Sequence, residues 1–136
     1  MLSLIFSFSG RLGRLAYLGL SILCNIVLGI LIALGLKASS VGRLDHDLIL
    51  MTVGLLLAIL GGIMLQWSVL SLTVKRLHDL DLSGVHASWV LFGPSLLAII
   101  ASKNASGLLL VAALLGLGIG LWLIFAPGTD GRNSFG

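Results

Sequence analysis

The residues best suited to chemistry lie in one polar stretch, Lys75–Gly84, between two long apolar runs. In it His78 directly precedes Asp79, and such a pair can transfer protons as acid and base. With Asp81 and His86, these side chains are also of the types that bind zinc or manganese. Their spacing matches no metal-binding signature, and no nucleophile-elbow motif surrounds Ser83. We therefore predict no catalytic residue, no metal site and no cofactor.

The same stretch also has a structural interpretation. Arg76 and Asp79 are three residues apart and can pair on one helix face. Arg11 and Arg14, with the same spacing, are expected to be neighbours on a helix and to neutralise aspartates at the same membrane face. These cations can equally hold a phospholipid headgroup, and the two roles are compatible. The residues predicted to form an ion-pair cluster or an anion site are Arg11, Arg14, Lys75, Arg76, His78, Asp79 and Asp81.

The composition places these residues in a membrane protein. Of 136 residues, 58% are hydrophobic and only 10% are charged, whereas soluble domains average about 25% charged. The net charge is +3, but the basic residues stand in short segments beside apolar runs. That position favours a role in orientation and contact with anionic lipids over nucleic-acid binding. The single cysteine, Cys24, excludes an intramolecular disulfide.

The apolar runs predict an all-α, polytopic fold with four transmembrane helices in one domain, residues 1–136. A hydrocarbon core of about 30 Å requires roughly 20 helical residues. A polar loop, Lys37–Asp47, is expected after the first span and a turn, Lys103–Gly107, after the third. Gly93–Pro94 leaves the third span open between a full, kinked crossing and a re-entrant segment. The predicted spans are about residues 15–36, 48–74, 86–102 and 108–126.

The flanking segments and the glycines complete this topology. Met1–Ser9 is expected to lie at the membrane interface, and the turn-rich tail, Pro127–Gly136, is expected to be non-helical. Gly61–Gly62 indicates a kink or a close-packing point, and Gly116 with Gly120 forms a GxxxG pair suited to helix packing. Four spans put both termini on one side. That side carries five of the eight basic residues, which predicts cytoplasmic termini.

The interior of the predicted spans contains no Asp, Glu, Lys or Arg. Ion-coupled carriers usually place such groups inside the membrane, so this absence argues against ion coupling. Asn25 and Gln66 lie at depths of about 15 and 12 Å from the same face. We predict that this intramembrane polar pair approaches closely, either as a hydrogen bond between helices or as part of the lining of a path.

Three motifs resemble those of the bacterial "domain of unknown function 805" membrane family. Phe6–Tyr17 resembles its opening F-x-G-R-x-x-R-x-x-[YF], and Arg76–Asp79 with Ser83–Gly84 resembles its R-L-H-D-x-x-x-S-G-W core. Pro127–Gly136 is similar to its closing P-G-T-x-G-x-N-x-[YF]-G. Val85 stands where the family usually has tryptophan. The resemblance implies a small bacterial inner-membrane protein without an established activity, and it implies one site formed by Arg11, Arg14, Arg76, His78, Asp79 and Asn133.

These observations lead to one functional hypothesis and two alternatives. The hypothesis is a non-enzymatic accessory, assembly or lipid-binding protein of the bacterial inner (plasma) membrane, with its polar cluster on the cytoplasmic face. Its expected partners are membrane lipids, and also a second copy or another membrane protein, but not nucleic acid. A transporter or channel component with broken helices is the first alternative. A membrane enzyme that uses His78 and Asp79 on a lipid headgroup is the second.

Overall fold

A computed structural model describes residues 7–101 and 106–135, and within them every regular element is a helix. We number the helices α1 (Arg14–Leu44), α2 (Leu48–Asp79), α3 (His86–Ala101) and α4 (Ser106–Phe125). Most of the predicted turn after the third span, Lys103–Gly107, and most of the predicted interfacial segment, Met1–Ser9, lie outside the described residues. Ser106 and Gly107 of that turn belong to α4 instead. The tail from Pro127 to Phe135 is non-helical, as predicted.

Three of these helices are long and apolar enough to cross a membrane, among the residues described: α1, α2 and α4. With 31 and 32 residues, α1 and α2 extend about 46 and 48 Å, well beyond a hydrocarbon core of about 30 Å. Helix α3 has 16 residues and extends about 24 Å. It continues through Pro94.

The helix ends differ from the prediction at two places. The expected polar loop Lys37–Asp47 was wrong over most of its length, because α1 continues to Leu44. Helix α2 likewise continues beyond Val74 to Asp79. The physical reason is the same in both cases. A fall in hydropathy marks where a chain leaves the hydrocarbon, but a helix satisfies its own backbone and continues into water until a breaking residue stops it.

The chain divides into two compact units. The second unit, Gly19–Val69, is a hairpin of α1 and α2 with a very close contact between the helix backbones. A Cβ atom on Gly35 would lie 2.7 Å from the backbone nitrogen of Ala58. A Cβ atom on Gly54 would collide with the backbone of Ser39. Small residues four apart on each helix thus permit the contact.

The connection in this hairpin is short, and its last residue, Asp47, caps α2. Its Oδ1 atom accepts hydrogen bonds from the backbone N–H groups of Ile49 and Leu50, both at 3.0 Å. These N–H groups have no partner within the first turn of a helix. His46, immediately before the cap, takes a left-handed conformation with φ 57°, which turns the chain between the two helices.

The first unit comprises residues up to Leu18 and from Leu70 onward. Its buried core is formed by Val74, Leu77, Ala87 and Leu123. Helices α3 and α4 pack against each other, and a Cβ atom on Gly116 would lie in ordinary contact with Pro94, at 3.6 Å. The last turns of α2, the end of α4, the N-terminal segment and the tail all belong to this unit, so every residue of the candidate site is held in it.

Candidate functional site at the helix ends

Arg76 is the most deeply buried charged side chain among the described residues, with a relative exposure of 0%. Its Nε atom donates to the carbonyl oxygen of Leu123 at 2.7 Å, and Nη2 donates to that of Ala126. The last carbonyls of a helix lack partners within the helix and carry partial negative charge. Arg76 of α2 therefore caps the end of α4.

Asp79 supplies the negative charge that this buried guanidinium requires. Its Oδ2 atom accepts a hydrogen bond from Nη1 of Arg76 in an ion pair between residues three apart on α2. Its Oδ1 atom lies 3.4 Å from Nη2 of Arg11. An unpaired charge at such a depth would be strongly unfavourable. One carboxylate thus bridges two arginines from separate segments.

Arg11 joins the N-terminal segment to the tail. Its Nη2 atom donates to the carbonyl oxygen of Thr129 at 2.6 Å and to Oγ1 of the same residue at 3.1 Å. Its Nη1 atom donates to the carbonyl oxygen of Gly131 at 2.5 Å. The neighbouring backbone is held as well, because the N–H of Leu12 donates to the carbonyl oxygen of Lys75 at 3.1 Å.

Thr129 anchors the tail on the end of α2. Its backbone N–H and its hydroxyl both donate to the carbonyl oxygen of Asp79, at 2.8 and 3.1 Å. Asn133 donates through Nδ2 to Oγ1 of Thr129 and to the carbonyl oxygen of His78, both at 2.8 Å. Arg11, Arg76, Asp79, Thr129 and Asn133 form what we call the terminal cluster.

His78 and Asp81 hold the outer edge of this arrangement. The His78 ring stacks on Phe135 with centroids 4.1 Å apart and planes 5° from parallel, and its Nδ1 donates to the carbonyl oxygen of Gly10 at 3.2 Å. Asp81, left-handed with φ 58°, accepts the backbone N–H of Ser134 at 3.2 Å through Oδ1. The imidazole of His78 and the carboxylate of Asp79 therefore contact different partners rather than each other.

Arg14 does not join the cluster. The prediction that Arg11 and Arg14 are neighbours on a helix is wrong, because α1 begins only at Arg14 and Arg11 lies before it, outside any helix. Arg14 is exposed, and its guanidinium forms no hydrogen bond or ion pair with any residue of the described ranges. Lys75, by contrast, is buried, with 4% relative exposure.

Two cluster features were missing from the sequence-based site. Thr129 lies within the tail motif, but its backbone and hydroxyl contacts require the folded tail. Gly128 packs so tightly against the carboxylate of Asp79 that a Cβ atom would collide with it. Both belong to the P-G-T sequence, which was the available signal. In residues 7–101 and 106–135, no group of three or more His, Cys, Asp or Glu side chains is placed to hold a metal ion.

Asn25 and Gln66, the predicted polar pair, both belong to the second unit. They lie at similar heights along their two helices but are not hydrogen-bonded to each other. Because Gly35 faces Ala58 in an antiparallel hairpin, residue 25 lies level with residue 68, about 3 Å along the axis from Gln66. Asn25 donates through Nδ2 to the carbonyl oxygen of Ser21, at 2.8 Å in its own helix. Both amides are exposed, and their close approach stays a prediction.

The comparisons with known proteins give one result. A family model described as "Protein of unknown function (DUF805)" matches residues 5–136. This match includes all three motifs and every residue of the terminal cluster. No curated protein and no solved structure matches the chain.

Proposed function

We propose that this chain, which belongs to the DUF805 family, is a non-enzymatic accessory or assembly protein of the bacterial inner membrane. In this proposal, four helices cross the bilayer and the terminal cluster fastens their cytoplasmic ends together. The basic side chains around the cluster attract anionic phospholipids to that face.

The contacts of Arg11 support the four-span topology. Arg11 precedes α1 and is bonded to Gly131, beyond α4, while Leu12 is bonded to Lys75 near the end of α2. These three points therefore lie at one membrane face. Helices α1 and α2 lead away from this face and back. In this topology α3 carries the chain across the membrane, and α4, which is long and apolar enough to span it, returns the chain to this face.

The charges support cytoplasmic placement of that face and attraction of anionic lipid. Five basic side chains belong to the proposed cytoplasmic face, against three acidic ones. Loops rich in Lys and Arg remain in the cytoplasm, where basic residues attract the anionic leaflet at about 1 kcal/mol each. The basic residues are Arg11, Arg14, Lys75, Arg76 and Arg132, and the acidic ones are Asp79, Asp81 and Asp130.

The non-enzymatic role rests on one observation: the guanidinium of Arg76 is bound by other groups of the protein. Its contacts are to two helix-terminal carbonyls and a carboxylate, and that carboxylate also contacts Arg11. Asp79, one half of the His78–Asp79 pair that resembles an acid–base pair in sequence, is thus occupied in holding segments together. Catalysis needs an acid, base or nucleophile within reach of a substrate, and the cluster leaves Asp79 in no such position.

Cysteine labelling tests the topology. In a Cys24→Ala background, single cysteines at Ser9, Ser40 and Ser134, all exposed, are treated in intact spheroplasts with a membrane-impermeant maleimide. We expect labelling only of Ser40→Cys, with the other two reacting after permeabilisation. Labelling of Ser9→Cys and Ser134→Cys from opposite sides would overturn the four-span topology.

Native mass spectrometry tests the lipid preference. The protein is purified in mild detergent and exposed to equal amounts of phosphatidylglycerol and phosphatidylcholine. We expect retained phosphatidylglycerol in excess. Equal retention of the two lipids, or turnover of either one, would overturn the proposed function, as would solute flux in liposomes that depends on the protein.

A further inference from the structure

An open groove lies between the beginning of α1 and the end of α4. Arg14, Leu15 and Leu18 line one side, and Ile124 and Phe125 line the other, around a volume of about 310 Å³. All five residues belong to the first unit. The groove therefore combines one permanent positive charge with walls that are otherwise apolar.

Among the residues that line the groove, Arg14 is the one cation, and its side chain can bind a ligand. Arg11 and Arg76 donate to protein carbonyls and to Asp79, whereas Arg14 is exposed and its guanidinium has no hydrogen bond or ion pair with a described residue. Its charge also acts unfavourably on that of Arg76. An anion beside Arg14 would attract this guanidinium and would also reduce its repulsion of Arg76.

The position of the groove fits an amphipathic ligand. Arg14 is the first residue of α1, and Phe125 is the last of α4, so the charged end of the groove lies where these helices leave the hydrocarbon. Leu15 and Phe125 are 86% and 69% exposed. Such apolar surface faces acyl chains, while an interfacial guanidinium is suited to bidentate contact with phosphate.

We propose that this groove binds one anionic phospholipid, with its phosphate on the guanidinium of Arg14 and one acyl chain along the apolar walls. The site rests on the proposed function, because it assigns a location to the preference for anionic lipid. It also assigns a separate role to an arginine that belongs to the same motif as Arg11.

A second groove provides a physical contrast. Gly42, Arg43, His46, Leu48 and Met51 line it, so it too has an arginine beside apolar side chains, together with a histidine. Arg43 lies in the last turn of α1, where the helix dipole is negative and offsets its charge, whereas at Arg14 the dipole has the same sign as the charge. Asp45 and Asp47 follow Arg43 closely in sequence. Anionic lipid is therefore expected to favour the groove at Arg14.

The test compares Arg14→Gln with Arg132→Gln in native mass spectrometry against phosphatidylglycerol and phosphatidylcholine. Arg132 is also exposed, belongs to the same unit and does not line the groove, so both variants lose the same charge. We expect Arg14→Gln to lower the excess of bound phosphatidylglycerol about fivefold, the effect of one interfacial basic residue. Arg132→Gln is expected to retain most of it.

The possible outcomes distinguish a failure of the lipid site at Arg14 from a failure of the proposed function. If the wild type prefers phosphatidylglycerol and the two variants behave alike, the site is wrong and the proposed function stands. If the wild type shows no preference, the proposed function fails and the site with it. A competition experiment with inorganic phosphate completes the test. If millimolar phosphate displaces the lipid from the wild type, the groove is a general anion site and the lipid assignment is overturned. A thermal melt of each variant verifies folding.

Discussion

The Cα atom of Gly128 faces the carboxylate of Asp79 so closely that no side chain fits between them. This contact brings the tail onto the one carboxylate that also contacts Arg76 and Arg11. The same carboxylate therefore positions the tail and neutralises two arginines. Adding a single methyl group at Gly128 is enough to test this arrangement.

Gly128→Ala is predicted to destabilise the protein by about 1–3 kcal/mol, because the added methyl group must displace either the tail or the Asp79 carboxylate. The measurement is thermal unfolding in detergent, followed by tryptophan fluorescence. Gly118→Ala is the matched control, since a Cβ atom there meets nothing within 4 Å. Equal midpoints for the two variants would contradict the contact.

Asp79→Asn is predicted to cost about 3 kcal/mol, the low end for breaking a buried ion pair, because it leaves the guanidinium of Arg76 without its counter-charge. The unfolding midpoint should fall well below that of Asp130→Asn, which removes an exposed carboxylate. If Asp79→Asn unfolds at the wild-type temperature and binds lipid normally, the terminal cluster does not fasten the helices.

Thr129→Val tests the hydrogen bonds of the tail at nearly constant volume. The change removes the hydroxyl that donates to Asp79 and accepts from Arg11 and Asn133. We expect a loss of about 1–3 kcal/mol from the unpaired groups, seen as faster proteolysis of the tail. Thr52→Val is the control, because the Thr52 hydroxyl bonds only within its own helix, to Leu48. Similar cleavage rates would argue against an anchoring role for Thr129.

Gly54→Ala is predicted to separate α1 from α2 in the second unit, because its Cβ atom would meet the backbone of Ser39. Backbone cannot move aside as a flexible side chain can, so we expect a loss of about 1–3 kcal/mol or more. Gly29→Ala, where nothing lies within 4 Å, should leave the melting curve unchanged. A wild-type melt for Gly54→Ala would show that the helices are not in such close contact.

The sequence predicted the helices better than their ends. Long apolar runs require a helix in a bilayer because the backbone has no other hydrogen-bond partner, so the existence of all four helices could be predicted. Nothing comparable marks where a helix ends in water. For that reason Lys37–Leu44 and Lys75–Asp79 were placed outside the spans although they continue α1 and α2.

The site could be predicted as a group of residues but not as a set of contacts. Local spacing predicted the Arg76–Asp79 pair, since it lies within one helix turn. Spacing also suggested that Arg11 and Arg14 act together, but the chain separates them at the start of α1. The close packing of Gly35 on Ala58 was missed in favour of other glycines, because small residues four apart occur repeatedly in this chain and only three-dimensional contacts distinguish them.

The capping of α4 by Arg76 also has a consequence for biosynthesis. Arg76 leaves the ribosome well before Leu123 and Ala126, the residues whose carbonyls it contacts. Until the end of α4 has been synthesised, this guanidinium lacks its two carbonyl partners. Complete closure of the cluster is therefore a late event in synthesis, and a nascent chain that stalls before Leu123 leaves unsatisfied an arginine that the complete fold buries.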